Sequence, residues 1–198
     1  MNTVMLMLAT FGALAACGGA SPDVRYYQLA AVDIPPQAKS DRVIAVEAFS
    51  AEGAYDDDRI IYRSTPYRLD YYQYHRWSAA PGLMVSGYFE QALAKTGAFR
   101  AVVRDQTPEA SLVIRGRVVA IEEIDRTKTQ WVGRIAVEIA ATDPKTGETV
   151  WSQAYDETEP LPMQSPEGLA RALSIAVARI ATRAAPELAK LSTAQARR

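Results

Sequence analysis

Only one histidine and a few carboxylate clusters in this 198-residue sequence offer acid–base chemistry. His75 would be the base of any Ser–His–Asp hydrolase, but the sequence holds no Gly-x-Ser-x-Gly motif. The carboxylates of residues 56–58, all Asp, suit hard cations, yet three consecutive side chains cannot all face one ion. Glu122 and Glu123, with Asp125, are expected at a strand end that turns into solvent. The sequence therefore predicts no catalytic residue and no metal site, and a hydrolase is the least favoured alternative.

Cys17 is the only cysteine of the chain and follows a short apolar segment, residues 4–14. That segment is too short to span a bilayer as a helix and is typical of a secretory signal. The residues Leu14-Ala15-Ala16-Cys17 resemble the lipobox of bacterial lipoproteins. The resemblance implies a diacylglycerol thioether on Cys17, cleavage before it, and acylation of the freed amine. The alternative is an ordinarily secreted protein in which the cysteine is incidental.

The residues after Cys17 predict a flexible tether, Gly-Gly-Ala-Ser-Pro, ahead of the folded part. We therefore expect a signal peptide over 1–16, a lipidated tether over 17–23, one domain over 24–192 and a frayed tail over 193–198. In the lipoproteins that this segment resembles, an Asp directly after the cysteine acts as a signal for retention in the inner membrane. Gly18 occupies that position here, so the resemblance favours the periplasmic face of the outer membrane.

Composition and charge exclude several classes of protein. The 22 basic and 23 acidic residues are interspersed, so no basic stripe indicates nucleic-acid binding. Hydrophobic residues make up 48% and charged residues 23%, which favours a globular domain over disorder. Because no second cysteine is present, no intramolecular disulfide can stabilise that domain in an oxidising compartment.

The first half of the chain is predicted to combine strands with one helix. Residues 50–58 are expected to form a loop. A helix is predicted from about Pro81, where proline suits the first turn, to Gly97, where glycine suits a left-handed C-terminal position. The strands are expected at 24–29, 41–49, 59–63, 67–71 and 99–103, with the third and fourth forming a hairpin.

The second half is predicted to be mainly β, with strands at 112–121, 131–142 and 150–155. Pro144 and Gly147 predict the turn that joins the last two strands. Residues 156–163 are expected to be a surface connector. Ser165 as N-cap predicts the start of a final helix, which Pro186 should end or kink.

An aromatic and basic stretch, residues 67–81 (YRLDYYQYHRWSAAP), precedes the first helix. It resembles the central motif of the ABC-type transport auxiliary lipoproteins, the PqiC-type outer-membrane lipoproteins of MCE systems. Residues 26–29 (YYQL) resemble the opening of that family, and the 143–151 hairpin and the alanine-rich final helix resemble its second half. The resemblance covers essentially the whole mature chain.

The resemblance implies an α/β fold: a three-layer domain with a mixed β-sheet and two main helices, like the amino-terminal domain of TolB. It implies a non-enzymatic protein whose partners are an MCE-domain protein and its ABC permease and ATPase. Such systems move lipids or other hydrophobic molecules between the inner and outer membranes, and some relatives form homo-oligomeric rings. No cofactor is implied beyond the acyl chains on Cys17. The alternative function is a periplasmic carrier that binds lipid directly in a cavity between sheet and helix.

Tyrosine, tryptophan and arginine are the residues most enriched in interface hot spots, and the stretch before the first helix holds four tyrosines, two arginines and one tryptophan. The alternative is that the side chains of Tyr72, Trp77 and Tyr88 pack in the core and anchor the junction between the strand and the first helix. The candidates for a partner or oligomer interface are Tyr62, Arg68, Tyr72, Tyr74, Arg76 and Trp77.

Overall fold

The computed structural model describes residues 22–191. The predicted signal peptide, Cys17 with most of its tether, and the tail at 193–198 lie outside these residues. The described chain forms one mixed nine-stranded sheet with two α-helices. Within 22–191 no helix is both long and apolar enough to cross a membrane.

A single 3-10 turn, Gly53–Tyr55, lies in the segment that was expected to be a loop. The helices are α1 (Pro81–Lys95) and α2 (Pro166–Lys190). The strands are β1 (Arg25–Tyr27), β2 (Ser40–Val46), β3 (Ser50–Ala51), β4 (Arg59–Thr65), β5 (Arg68–Trp77), β6 (Phe99–Arg104), β7 (Leu112–Thr127), β8 (Gln130–Thr142) and β9 (Thr149–Leu161).

Strand β7 is the centre of the sheet. On one edge it pairs antiparallel with β8 over its length, and β9 pairs with β8 beyond it. On the other edge it pairs in turn with β2, β3 and β4, all parallel to it. β6 continues the sheet beyond β2, whereas β5 and then β1 continue it beyond β4. The side chains in the middle of β7 are therefore enclosed by neighbouring strands on both edges.

The two helices contact each other and share one face of the sheet, which curls so that both β1 and β9 reach α2. Close packing of each helix depends on a glycine. A Cβ on Gly82 would lie 2.2 Å from the backbone oxygen of Phe49, so only glycine allows this approach of α1. A Cβ on Gly133 of β8 would lie 3.1 Å from Leu169 of α2.

The expected α/β class, with a mixed sheet and two main helices, is confirmed. Gly97 has φ +64° after α1, and Gly147 has φ +74° in the β8–β9 turn, as their positions predicted. The Ser165 hydroxyl accepts a hydrogen bond from the Gly168 amide at 3.0 Å, which confirms it as the N-cap of α2.

The predicted connector is wrong: residues 156–161 continue β9 and pair antiparallel with β8. Glu157 and Glu159 also form ion pairs with Arg179 of α2. Pro186 was predicted to end or kink α2, and the helix continues past it to Lys190. The carbonyl of Thr182, which Pro186 cannot hydrogen-bond, accepts instead from Gln37 Nε2 at 2.7 Å, and this replaces the missing bond.

Candidate functional site

Two adjacent glutamates lie in the middle of β7, and both are fully buried: Glu122 and Glu123 are each 0% exposed. The prediction that they end a strand in solvent is wrong. β7 runs on to Thr127, with β4 on one edge and β8 on the other, so both residues are central in the sheet. Because successive side chains of a strand point to opposite faces, the two carboxylates lie on opposite sides of the sheet.

Glu122 is enclosed by two arginines and a tyrosine. Its Oε2 accepts from the Tyr55 hydroxyl at 2.6 Å and from Arg63 Nε at 3.1 Å, and its Oε1 accepts from Arg134 Nη1 at 3.0 Å. Arg134 also binds the Asp156 carboxylate through two bonds of 2.9 and 2.7 Å, which lowers the pKa of Asp156. Burial, reinforced by Glu122, raises the pKa of Tyr55 to about 12. This side of β7 is an ionic clamp that joins the 3-10 turn, β4, β7, β8 and β9.

Glu123 has hydrogen-bond donors but no basic partner within residues 22–191. Its carboxylate accepts from the Tyr72 hydroxyl at 3.0 Å and from Gln164 Nε2 at 2.7 Å. Burial raises the pKa of Glu123 to about 7, and Asp125 adds to the rise, while the Gln164 and Tyr72 hydrogen bonds oppose it. Burial and the charge of Glu123 also raise the pKa of Tyr72. The carboxyl group of Glu123 therefore changes between its protonated and ionised forms near neutral pH.

The sheet divides the predicted aromatic and basic cluster into two groups. Tyr62 and Tyr72 belong to the Glu123 side, with their ring centroids 5.2 Å apart, and both are half-buried. His75 packs edge-on against Tyr72 at 5.8 Å, and its Nδ1 hydrogen-bonds the Tyr27 hydroxyl at 2.9 Å. On this side the aromatic rings support the sheet and hold the buried carboxylate.

The second group lies at the surface and consists of Tyr71, Tyr74 and Arg76. Together with Arg59 of β4, which was not among the predicted residues, it forms what we term the β5 patch. The Arg59 guanidinium stacks over the Tyr71 ring at 3.9 Å. Arg76 Nε lies 3.7 Å from Asp58 Oδ1, and Tyr74 is 36% exposed. This patch offers stacked aromatic and guanidinium groups to a partner.

The remaining predicted site residues are placed differently. Trp77 is 1% exposed and belongs to the core, as does Tyr88, so the core alternative holds for both. Arg68 is exposed at the β4–β5 turn and pairs with Asp70 at 2.7 Å. For Tyr62, Arg68, Tyr72, Tyr74 and Arg76, a role at an interface stays a prediction.

No cluster of three His, Cys, Asp or Glu side chains within the described chain could hold a metal ion. The Asp56–Asp58 segment is at least partly exposed, and Asp57 binds Arg59 through a 2.7 Å hydrogen bond.

Sequence reasoning missed the Glu122 clamp entirely. Arg63 and Arg134 are distant in sequence from Glu122, and only the pairing of β4 and β8 with β7 brings them to it. One signal was present. Ile124, a residue type that favours strands, directly follows the two glutamates, so the strand could have been extended past them.

Comparison with known proteins identifies the family. A family model described as the ABC-type transport auxiliary lipoprotein component matches residues 27–185. The chain belongs to this family. The auxiliary lipoproteins are not a known family of enzymes, and membership places this chain among envelope lipoproteins that serve ABC-type transport. No protein with curated annotation matches the chain in sequence.

Solved structures support the same fold for this auxiliary lipoprotein. A DUF330 protein from Xanthomonas campestris is 19% identical with a TM-score of 0.71, over 83% of this chain and 94% of the other. An uncharacterised protein is 13% identical with a TM-score of 0.68, over 84% and 99%. A hypothetical protein from Chlamydia trachomatis is 7% identical with a TM-score of 0.50, over 77% and 98%. At these identities the likeness shows the fold alone.

Proposed function

We propose that this auxiliary lipoprotein is anchored through acyl chains on Cys17 to the periplasmic face of the outer membrane, where it docks the MCE component of an ABC-type transporter. The match of residues 27–185 to the auxiliary family carries the proposal. The transporter would move lipids or other hydrophobic molecules between the two membranes. The lipoprotein itself would perform no chemistry.

The β5 patch is the surface that we assign to the MCE partner. It is exposed, and it combines tyrosine with arginine, which are prominent in interface hot spots. Arg76 and Tyr74 can be replaced with little loss of stability, because Arg76 is partly exposed and its ion pair with Asp58 is long. Tyr62 and Tyr72 lie on the side of the sheet that holds the buried Glu123. Replacing them would change folding as well as binding, so they are not suitable test positions.

A pull-down of the acylated full chain from membranes tests this assignment. We expect the MCE protein and its ATPase to copurify with the wild type and to be depleted with Arg76→Ala and Tyr74→Ala, at unchanged melting temperature. Arg171→Ala, at an exposed arginine of α2, is the matched control and should behave as wild type. Wild type that copurifies with lipid but with no transporter component would favour the direct-carrier alternative. His75→Ala should retain function, since a loss at unchanged stability would favour a hydrolase.

A further inference from the structure

The direction of β1 fixes the side from which the tether reaches the domain. β1 runs parallel to β5, with Arg25 opposite His75. The residues of β5 that precede His75 lead back to the β4–β5 turn at Pro66 and Tyr67. The chain that precedes Arg25 therefore enters the sheet from the side of that turn.

Other exposed segments lie at the same end of the sheet. Because β4 is parallel to β7, the β4–β5 turn and the β7–β8 turn lie at one end. Trp131 pairs with Leu161, so the segment after β9, with Met163, is also there. We name residues 64–68, residues 126–130 and Met163 together the tip surface.

The tip surface combines exposed apolar side chains with positive charge. Tyr67 is 97% exposed and Met163 is 68% exposed. Arg126 and Lys128 are exposed, and neither forms an ion pair with another residue of the described chain. Tyrosine is enriched at membrane–water interfaces, and basic side chains are attracted to anionic phospholipids. The chemistry of this end thus matches a phospholipid headgroup layer.

The length of the tether suits this arrangement. Arg25 follows Cys17 by eight residues, which extend over roughly 26–29 Å. Tyr67 precedes His75, the partner of Arg25, by eight residues, and the irregular pairing of β5 with β4 shortens this path to roughly 20 Å along the sheet. Eight residues of tether are therefore long enough for acyl chains on Cys17 to reach the level of the tip surface.

We propose that the tip surface rests on the phospholipid layer that holds the acyl chains, with Tyr67 and Met163 among the headgroups and Arg126 and Lys128 next to anionic phosphates. The inference rests on the acylation of Cys17 in the proposed function and adds to it a fixed orientation. β8 and β9 then extend from the tip surface away from the membrane, and the β8–β9 turn at Lys145 lies at their far end. The β5 patch lies between these ends, beside the bilayer and open to a partner.

Fluorescence quenching in vesicles tests the orientation. Acylation converts the only native thiol to a thioether, so a cysteine introduced elsewhere is the only site for a thiol-reactive fluorophore. Thr129→Cys labels the tip surface, and Lys145→Cys labels the opposite turn, about 40 Å away along β8. The acylated full chain is placed in vesicles of phosphatidylethanolamine and phosphatidylglycerol that contain nitroxide-headgroup lipid. We expect strong quenching at position 129 and little at position 145.

Charge reversal provides the matched comparison. In the Thr129→Cys protein, Lys128→Glu should lower the equilibrium constant for the membrane-bound orientation, roughly five-fold for each unit of charge. Lys145→Glu makes the same change at the opposite turn and should leave quenching at position 129 unaltered. Replacing phosphatidylglycerol with phosphatidylcholine should weaken quenching at position 129 and remove the effect of Lys128→Glu.

Three results would overturn the inference. Equal quenching at positions 129 and 145 in a chain that incorporates labelled palmitate would show that the anchor exists without a preferred face. Stronger quenching at position 145 than at position 129 would show that the tip surface faces away from the lipid and is open to a protein partner. A chain that takes up no palmitate would overturn the anchor and the orientation together. The pull-down through the β5 patch is independent of the quenching, so the two proposals can fail separately.

Discussion

Glu122 and Glu123 are the same residue type in the same strand, equally buried and one peptide apart, yet their surroundings differ. Two guanidinium groups contact Glu122, at 3.1 and 3.0 Å, whereas Glu123 is met by a tyrosine hydroxyl and an amide. A buried carboxylate without a cation favours its protonated form, and the pKa of Glu123 rises accordingly to about 7. The comparison shows that the partner, rather than burial alone, decides what a buried acid does.

The two sides of β7 therefore carry different roles. The Glu122 side joins five elements through contacts that link the neighbouring strands β4, β7, β8 and β9 and the 3-10 turn. The Glu123 side joins β5 and β7 to the start of α2 through neutral donors and remains able to exchange a proton. The following variants are ordered from the largest expected effect to the smallest, and each alters one side of the comparison.

Glu122→Gln should have the largest effect on stability. Removing this charge leaves Arg63 and Arg134, which are mostly buried, without their shared partner, and breaking a buried pair costs about 3–4 kcal/mol. Urea denaturation measures the loss. Glu47→Gln, which breaks the exposed pair with Arg115, should cost less than about 1 kcal/mol. Similar losses for the two variants would show that the clamp contributes no more than a surface ion pair.

Glu123→Gln should remove a pH dependence of stability. Folding raises the pKa of Glu123 from 4.5 to about 7, so the folded chain binds more protons between these values and loses stability as the pH rises through them. The shift corresponds to about 3 kcal/mol. The wild-type melting temperature should fall from pH 5 to pH 8, and that of Glu123→Gln should change less. Equal slopes in Glu123→Gln and the wild type would contradict the assignment.

Tyr72→Phe should have the smallest effect, about 1 kcal/mol, because it removes one hydrogen bond to the Glu123 carboxylate. The loss should be greater at pH 8, where Glu123 is ionised, than at pH 5. Tyr71→Phe is the matched control, since the neighbouring tyrosine side chain lies on the other face and stacks with Arg59. Urea midpoints at the two pH values check both variants. A loss of stability in Tyr72→Phe that is the same at both pH values would show that the Tyr72 hydroxyl does not act through the ionisation of Glu123.

The sequence determined much about this protein by itself. The spacing of apolar residues and the Ser165 N-cap located α2, and Gly97 and Gly147 marked the positions where the backbone needs positive φ. These signals are local, because each depends on residues within a few positions of one another. The motif over residues 67–81 pointed to the family that the match over 27–185 then showed.

The tertiary structure alone decided the rest. Glu122 was predicted to face solvent because its neighbours in sequence are polar, but Arg63 and Arg134 reach it only when β4 and β8 pair with β7. Pro186 was predicted to end or kink α2, but the helix continues to Lys190, and Gln37, 149 positions earlier, supplies the hydrogen bond that the proline cannot donate. Tyr71 and Tyr72 look alike in sequence, and only the sheet sends one to the surface and the other to a buried carboxylate. Patterns within a few residues set each element, whereas the partner of a buried polar group depends on strand pairing, which no local pattern encodes.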